Sequence, residues 1–187
     1  TTTPPLTEVV DAMQPWLRGQ FGAPAALHKL GLEARDAVDE ARERLAKLVN
    51  AAEPEEIIFT SSGTEAINHA VKGAALANRR FGSHIVTTGI EHPAVLGSVA
   101  WLESQGFSST RVGVDGQGRV DPDAIGRAMN DETILVCLHH ANLDLGTVQP
   151  VAEVAELTGE RGIPLFVDAT ASGGWLATDV QQLGADL

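Results

Sequence analysis

Apolar and polar positions follow two different periods along this chain, and these periods predict a series of strands and helices. Between Glu33 and Val49 apolar residues fall on one helical stripe with charged residues opposite, which is typical of an amphipathic helix. Short apolar runs bounded by glycine or other turn residues predict strands. The predicted strands are 56–60, 84–88, 110–114, 133–138 and a strand ending at 168; the predicted helices are 33–49, one that follows the turn at 61–63, 94–105, 122–129 and 151–161.

This alternation of strands and helices predicts an α/β fold with a mainly parallel sheet and helices on both faces. In such sheets ligands bind beyond the carboxyl ends of the strands. The polar residues that follow the predicted strands are therefore the candidates for a functional site. They form four groups, namely 61–65, 91–92, 139–144 and 168–170.

Composition narrows the range of partners. The 187 residues include 25 acidic and 13 basic side chains, a formal net charge of −12, so the chain repels phosphate backbones and anionic lipids. No apolar run approaches the roughly 20 residues of a membrane span, and Thr1–Leu6 lacks the features of a signal peptide. We expect no nucleic acid partner, no membrane association and a cytoplasmic location. The single cysteine, Cys137, fits a reducing compartment.

The segment TSSGTEA, residues 60–66, predicts a tight turn between a strand and a helix. Free backbone N–H groups at a helix start attract phosphate, and Thr64 adds a hydroxyl. An ordinary serine or threonine N-cap produces the same pattern, so this segment alone leaves both interpretations open. It is not a P-loop, because no Gly-Lys-Ser/Thr follows.

Three histidines also follow predicted strands. His92 precedes Pro93, which opens a helix. An imidazole there could stack on a planar ligand or transfer protons near neutral pH, and a solvated loop histidine is the alternative. His139 and His140 are adjacent and point to opposite faces of their strand, so they make a poor chelating pair. A zinc site with Cys137 would need ligands from elsewhere.

Asp168 ends the apolar run IPLFV at the edge of the predicted core. An ionised carboxylate is costly there without a compensating partner, so we expect a cationic one. A cap on the following turn is the alternative, but that turn, 169–174, is rich in small residues and leaves room for a ligand. A protonated heteroaromatic nitrogen would fit, because a carboxylate paired with a pyridinium nitrogen lets pyridoxal phosphate act as an electron sink.

Four segments in this order resemble the cysteine desulfurases, within the class V aminotransferase branch of the fold-type I pyridoxal phosphate enzymes. They are EEIIFTSSGTEAINHAVKG (55–73), IEHPAVL (90–96), HANLDLGTVQP (140–150) and GIPLFVDATAS (162–172). The resemblance covers essentially the whole chain. It implies pyridoxal 5′-phosphate as the cofactor.

The resemblance also implies a role for each matching position. Gly63 and Thr64 would bind the cofactor phosphate. His92 would stack on the pyridine ring and help to move protons, which makes it the candidate catalytic residue. Asn142 would contact the phenolic oxygen side of the cofactor and the substrate, and Asp168 would pair with the ring nitrogen.

The chain departs from the family pattern at three places. Ala171 stands where a glutamine commonly hydrogen-bonds the phenolic oxygen, Asn142-Leu143-Asp144 replaces Asn-Asn-Glu, and Gly22-Ala23-Pro24 replaces Gly-Asn-Pro. These changes weaken the inference that cysteine is the substrate. They leave the phosphate and ring-nitrogen contacts unaffected.

The resemblance implies further parts that these residues do not include, namely a Schiff-base lysine and a small C-terminal domain with a nucleophilic cysteine. We expect Lys72 and Lys47 to be unsuitable substitutes by position, whereas Lys29, predicted to lie in a loop of uncertain position, is the one lysine that is not dismissed. Cys137, within the apolar run ILVCL, is expected to be a packed core thiol and not that nucleophile.

We therefore predict a cysteine desulfurase-like transferase of sulfur metabolism and iron–sulfur cluster assembly, with an N-terminal arm (1–15) and a partial large cofactor domain (16–187). It would remove sulfur from L-cysteine, giving alanine and an enzyme-bound persulfide, once a second polypeptide supplies the lysine; alone it is expected to be inactive. A homodimer of the complete unit and a sulfur-acceptor protein are the expected assemblies. The alternatives are a cysteine or selenocysteine lyase, an epimerase, or a non-catalytic scaffold subunit. A generic nucleotide-binding domain is disfavoured, because the first strand-turn-helix has no glycine triplet.

Overall fold

The structure is a computed structural model that describes residues 3–187. The chain divides into two compact units, one ending at Ile58 and the other spanning Phe59–Leu187. All the site residues predicted from the sequence lie in the second unit. None of the helices formed by residues 3–187 combines the length and the apolar character needed to cross a membrane.

The first unit is helical. It contains α1 (Thr7–Arg18), α2 (Lys29–Val49) and a 3-10 turn at Pro54–Glu56. Helix α1 has no counterpart among the elements predicted from the sequence, and it crosses the expected boundary at residue 15. Helix α2 begins before the predicted Glu33, because His28 caps it by accepting a hydrogen bond from the Gly31 amide at 3.3 Å. The placement of Lys29 in a loop is therefore wrong, since Lys29 is the first residue of α2.

A parallel four-stranded sheet forms the centre of the unit Phe59–Leu187, in the order β2-β1-β3-β4. Its strands are β1 (His84–Thr88), β2 (Ser108–Val112), β3 (Thr133–His139) and β4 (Leu165–Asp168). The helices of this unit are α3 (Gly63–Asn78), α4 (Pro93–Ser104), α5 (Pro122–Ala128), α6 (Val151–Gly159) and α7 (Val180–Leu183). The parallel α/β fold predicted from the sequence is confirmed.

Helices cover both faces of this sheet, and the alternation of side chains along β3 assigns each residue to a face. Leu135 and Cys137 pack with α3 and α4, whereas Val136 and Leu138 pack with α5 and α6. Every residue of β3 is buried, as expected for a central parallel strand. By the same alternation, His139 belongs to the face of Cys137 and His140 to the opposite face.

Two strand predictions need correction. The strand predicted at 56–60 is wrong, because residue 56 ends the 3-10 turn and residues 57–60 belong to no helix or strand of the described chain. The strand predicted at 110–114 lies two residues earlier, where Ser108 pairs in register with His84 of β1. Both strands were predicted from runs of apolar residues. Hydrogen bonding to a neighbouring strand decides whether and where a strand forms, and a single run does not reveal it.

Candidate functional site

The predicted site residues gather at the carboxyl-end edge of the sheet, and two contacts join their loops. The start of α3 meets the loop after β4, since a Cβ atom placed on Gly63 would lie 3.7 Å from Thr170 Oγ1. The loop after β3 meets the loop after β1, where Asn142 Nδ2 donates to the Ile90 carbonyl at 3.1 Å. Parallel strands bring these chain segments to the same edge.

The start of α3 is capped by side chains on either side of Gly63. Ser62 Oγ accepts a hydrogen bond from the Glu65 amide at 3.2 Å, and the Glu65 carboxylate accepts one from the Ser61 amide at 2.7 Å. Hydrogen bonds from the Ser61 side chain and then its amide hold the pKa of Glu65 below its ordinary value. The N-cap interpretation is therefore correct. It does not exclude an anion site, because the first amides of the helix, at Gly63 and Thr64, have no carbonyl partner within the helix.

His92 forms the N-cap of α4. Its Nδ1 accepts a hydrogen bond from the Ala94 amide at 3.1 Å, and Pro93 occupies the first helical position. The imidazole is exposed. Because Nδ1 acts as an acceptor, the neutral imidazole carries its proton on Nε2. The Nε2–H group is thus the part of His92 that can donate to a ligand.

The Asn142 side chain is largely engaged within its own loop. Its Oδ1 accepts hydrogen bonds from the amides of Asp144 and Leu145 at 3.0 and 2.9 Å, while Nδ2 donates to Ile90. An amide group carries two hydrogens on nitrogen, so one Nδ2 hydrogen remains for a ligand. The predicted contact of Asn142 with a cofactor stays a prediction and would have to use that hydrogen.

Asp168 is 7% exposed at the end of β4. Its Oδ1 accepts a hydrogen bond from the Thr170 amide at 2.9 Å, so the cap on the following turn exists. A neutral amide does not balance a carboxylate charge, however. Among the ion pairs within residues 3–187, none joins a lysine or arginine to Asp168. A cationic ligand at this carboxylate therefore remains consistent with its surroundings.

The structure also brings together two residues from different predicted groups, Glu91 and His139. Glu91 Oε1 lies 2.8 Å from His139 Nδ1, and both side chains are almost completely buried. The sequence placed both residues after strands, but it gave no sign that they touch.

Cys137 is fully buried, as predicted for a core thiol. Burial, and to a lesser extent the nearby Glu91, raises the pKa of this thiol well above its ordinary value. Cys137 is thus an inert thiol at neutral pH. Over residues 3–187 no cluster of three or more histidine, cysteine or acidic side chains is arranged to hold a metal ion.

Comparison with known proteins gives consistent matches. A family profile described as aminotransferase class-V matches residues 1–187. The cysteine desulfurase IscS of Dictyoglomus turgidum is 44% identical over 186 residues, which is 100% of this chain and 47% of that protein. The cysteine desulfurase IscS of Methanosarcina thermophila is also 44% identical and matches all of this chain over 46% of its own length. The chain therefore spans about half the length of the curated relatives it matches.

A solved structure described as SspA in complex with cysteine superimposes with a TM-score of 0.93 at 35% identity. The superposition covers 98% of this chain and 53% of the solved chain. The fold of the present chain is thus shared with the corresponding half of that protein.

Proposed function

The chain belongs to the aminotransferase class-V family, and we propose on that basis that it forms the cofactor-binding part of a cysteine desulfurase. The cofactor would be pyridoxal 5′-phosphate, and the substrate L-cysteine. The observation that carries the proposal is the meeting of the α3 start with the loop after Asp168, at Gly63 and Thr170. This contact brings a helix start, whose free amides suit an anion, to the loop that follows the buried Asp168 carboxylate. An elongated ligand with a phosphate and a basic ring nitrogen requires such an arrangement.

The residues present fit this cofactor. Gly63 and Thr64 would bind its phosphate through their backbone amides and the Thr64 hydroxyl. Asp168 would hold the proton on the ring nitrogen, and its 7% exposure would strengthen that charge pair by excluding water. When bound, the cofactor supplies an electron sink for the α-carbon of an amino acid.

His92 would stack on the pyridine ring of the cofactor. Its Nδ1 is fixed by the Ala94 amide, so its orientation is set by the start of α4. Its Nε2–H group would donate a hydrogen bond to the cofactor or the substrate, and acceptance of a proton by Nε2 would require His92 to release the Ala94 amide. Asn142 would use its second Nδ2 hydrogen to orient the phenolic oxygen of the cofactor.

The lysine that holds the cofactor covalently would come from outside these 187 residues. Lys29 is exposed and lies 3.7 Å from Glu33, and the Lys72 ammonium lies 4.7 Å from the centre of the Trp101 ring. Lys47 is exposed on α2. None of the three is placed toward Asp168 by a described contact, and we therefore expect this chain to be inactive by itself.

The remaining parts of the proposal concern the assembly. The complete unit would be a cytoplasmic homodimer that includes the lysine-bearing part and passes sulfur to an acceptor protein, for example in iron–sulfur cluster assembly. The division into an arm of residues 1–15 and a cofactor domain from residue 16 also stays a prediction.

The test is a product analysis of the complete protein, meaning this chain together with the half that its relatives possess. With pyridoxal 5′-phosphate, L-cysteine and dithiothreitol, we expect equal amounts of alanine and sulfide. Pyruvate and ammonia would instead identify a lyase, and D-cysteine an epimerase. Absence of any product from a protein that binds the cofactor would favour a scaffold subunit and overturn the proposal.

A further inference from the structure

The pair formed by Glu91 and His139 has no part in the function proposed so far. Glu91 follows β1, and His139 is the last residue of β3. Glu91 Oε1 lies 2.8 Å from His139 Nδ1 and accepts a hydrogen bond from the Thr88 hydroxyl at 2.6 Å. The exposed fractions of the Glu91 and His139 side chains are 0% and 4%.

A buried carboxylate of this kind depends on its few partners. Transfer of a carboxylate out of water is costly, and removing one partner of a buried pair leaves that cost uncompensated. Thr88 supplies one hydrogen bond and His139 the other. Glu91 Oε2 and His139 Nε2 are buried without a hydrogen-bond partner among the described residues, so the pair has no other polar support there.

The position of the pair links it to the two ends of the candidate site. Glu91 directly precedes His92, whose imidazole is exposed and accepts a hydrogen bond at Nδ1 from the Ala94 amide. His139 pairs in register with Asp168 on the adjacent strand, so both side chains lie on the same face of the sheet. The hydrogen bond between Glu91 and His139 therefore connects the loop that carries His92 to the strand beside Asp168.

We propose that Glu91 and His139 are positioning residues that fix His92 relative to Asp168, so that the imidazole meets a planar ligand held by that carboxylate. The proposal rests on the proposed function, because it assigns the ligand as pyridoxal 5′-phosphate. Without the hydrogen bond between Glu91 and His139, the loop after β1 retains the contact from Asn142 to Ile90 but loses the buried contact next to His92.

The experiment compares His139→Leu with His84→Leu in the complete protein. His84 is the matched control, since it is also buried and both its ring nitrogens contact threonine hydroxyls, at 2.8 and 2.9 Å, but it lies at the opposite end of β1. Both variants should lower the thermal midpoint. Only His139→Leu should weaken pyridoxal 5′-phosphate binding, by about tenfold in an absorbance titration, as expected for the loss of one charge-assisted hydrogen bond. It should also change the visible circular dichroism of the bound cofactor.

His139→Gln keeps a side-chain N–H that can reach Glu91, and it should restore the cofactor affinity to within about threefold of the wild type. Should His139→Leu not fold, Glu91→Gln takes its place, because it keeps the shape of the side chain and removes its charge. Cofactor affinity and dichroism equal to those of the His84→Leu control would overturn the positioning role. Failure of the wild-type protein to bind the cofactor would instead overturn the proposed function.

Discussion

At the scale of single residues, buried histidines at the two ends of the sheet have different surroundings. His84 begins β1, and its ring nitrogens contact the hydroxyls of Thr133 and Thr110. His140 follows β3, and its Nδ1 is buried without a hydrogen-bond partner among the described residues. Burial lowers the pKa of both histidines. Neither has a carboxylate partner among the described hydrogen bonds, so both favour the neutral form.

These lowered pKa values predict an acid-dependent loss of stability. The folded pKa of His84 lies below its ordinary value of 6.5, so the unfolded state binds more protons as the pH falls. The contribution of neutral His84 to stability is complete at pH values above that ordinary pKa, and it is lost as the pH falls through the folded pKa. The thermal midpoint should therefore fall between about pH 7.5 and about pH 5. His84→Gln, which does not titrate, should show a smaller fall than the wild type. An equal fall in both proteins would contradict this assignment.

The sequence could predict structural features whose cause is local. The position of Asp168 at the edge of the core was predicted from an apolar run that ends in a carboxylate, and a serine or threonine cap was one of the two interpretations of the turn in residues 60–66. The contact between Glu91 and His139 could not be predicted, because the two residues are 48 positions apart. It depends on β1 and β3 being neighbours, and the pattern of a single segment does not reveal strand order.

At the scale of elements, correct and incorrect predictions again differ in whether the local sequence pattern was sufficient or a contact with a distant segment was needed. The strand at His84–Thr88 was predicted with its exact bounds, and the helix at Pro122–Ala128 to within one residue. The strand expected at 56–60 does not form within the described chain. Its apolar side chains indicated burial, yet Ile58 is 64% exposed.

The connection between α1 and α2 gives a prediction at this scale. A Cβ atom on Gly22 would lie 2.2 Å from the Leu30 carbonyl oxygen, a distance that forces the backbone to move. We expect Gly22→Ala to destabilise the protein by about 1–3 kcal/mol, the usual cost of overpacking. Gly19→Ala is the control, because nothing lies within 4 Å of the added Cβ atom. Urea unfolding of both variants measures the difference, and equal midpoints would contradict the close approach.

At the scale of the whole molecule, the parallel sheet explains why distant sequence segments form one candidate site. Three of the four groups of polar residues predicted from the sequence follow β1, β3 and β4, which parallel pairing brings to one edge, and the fourth group begins α3. The alternation of strands and helices was enough to predict this arrangement for the three groups that follow strands, whereas the group 61–65 was assigned through a strand at 56–60 that does not form. It was not enough to predict the two compact units, because the sequence has no linker-like segment near Ile58.

The central claim is that this edge binds pyridoxal 5′-phosphate with Asp168 on its ring nitrogen. The most direct test is equilibrium dialysis of the cofactor against the complete protein, Asp168→Asn and Asp186→Asn. Asp186 is the matched control. Its carboxylate also accepts a hydrogen bond from a backbone amide, that of Leu165 at 2.8 Å, but it lies at the opposite end of β4. We expect saturable binding to the wild type and to Asp186→Asn, and binding at least about tenfold weaker to Asp168→Asn. No saturable binding to the wild type, or equal affinity in all three proteins, would contradict the account.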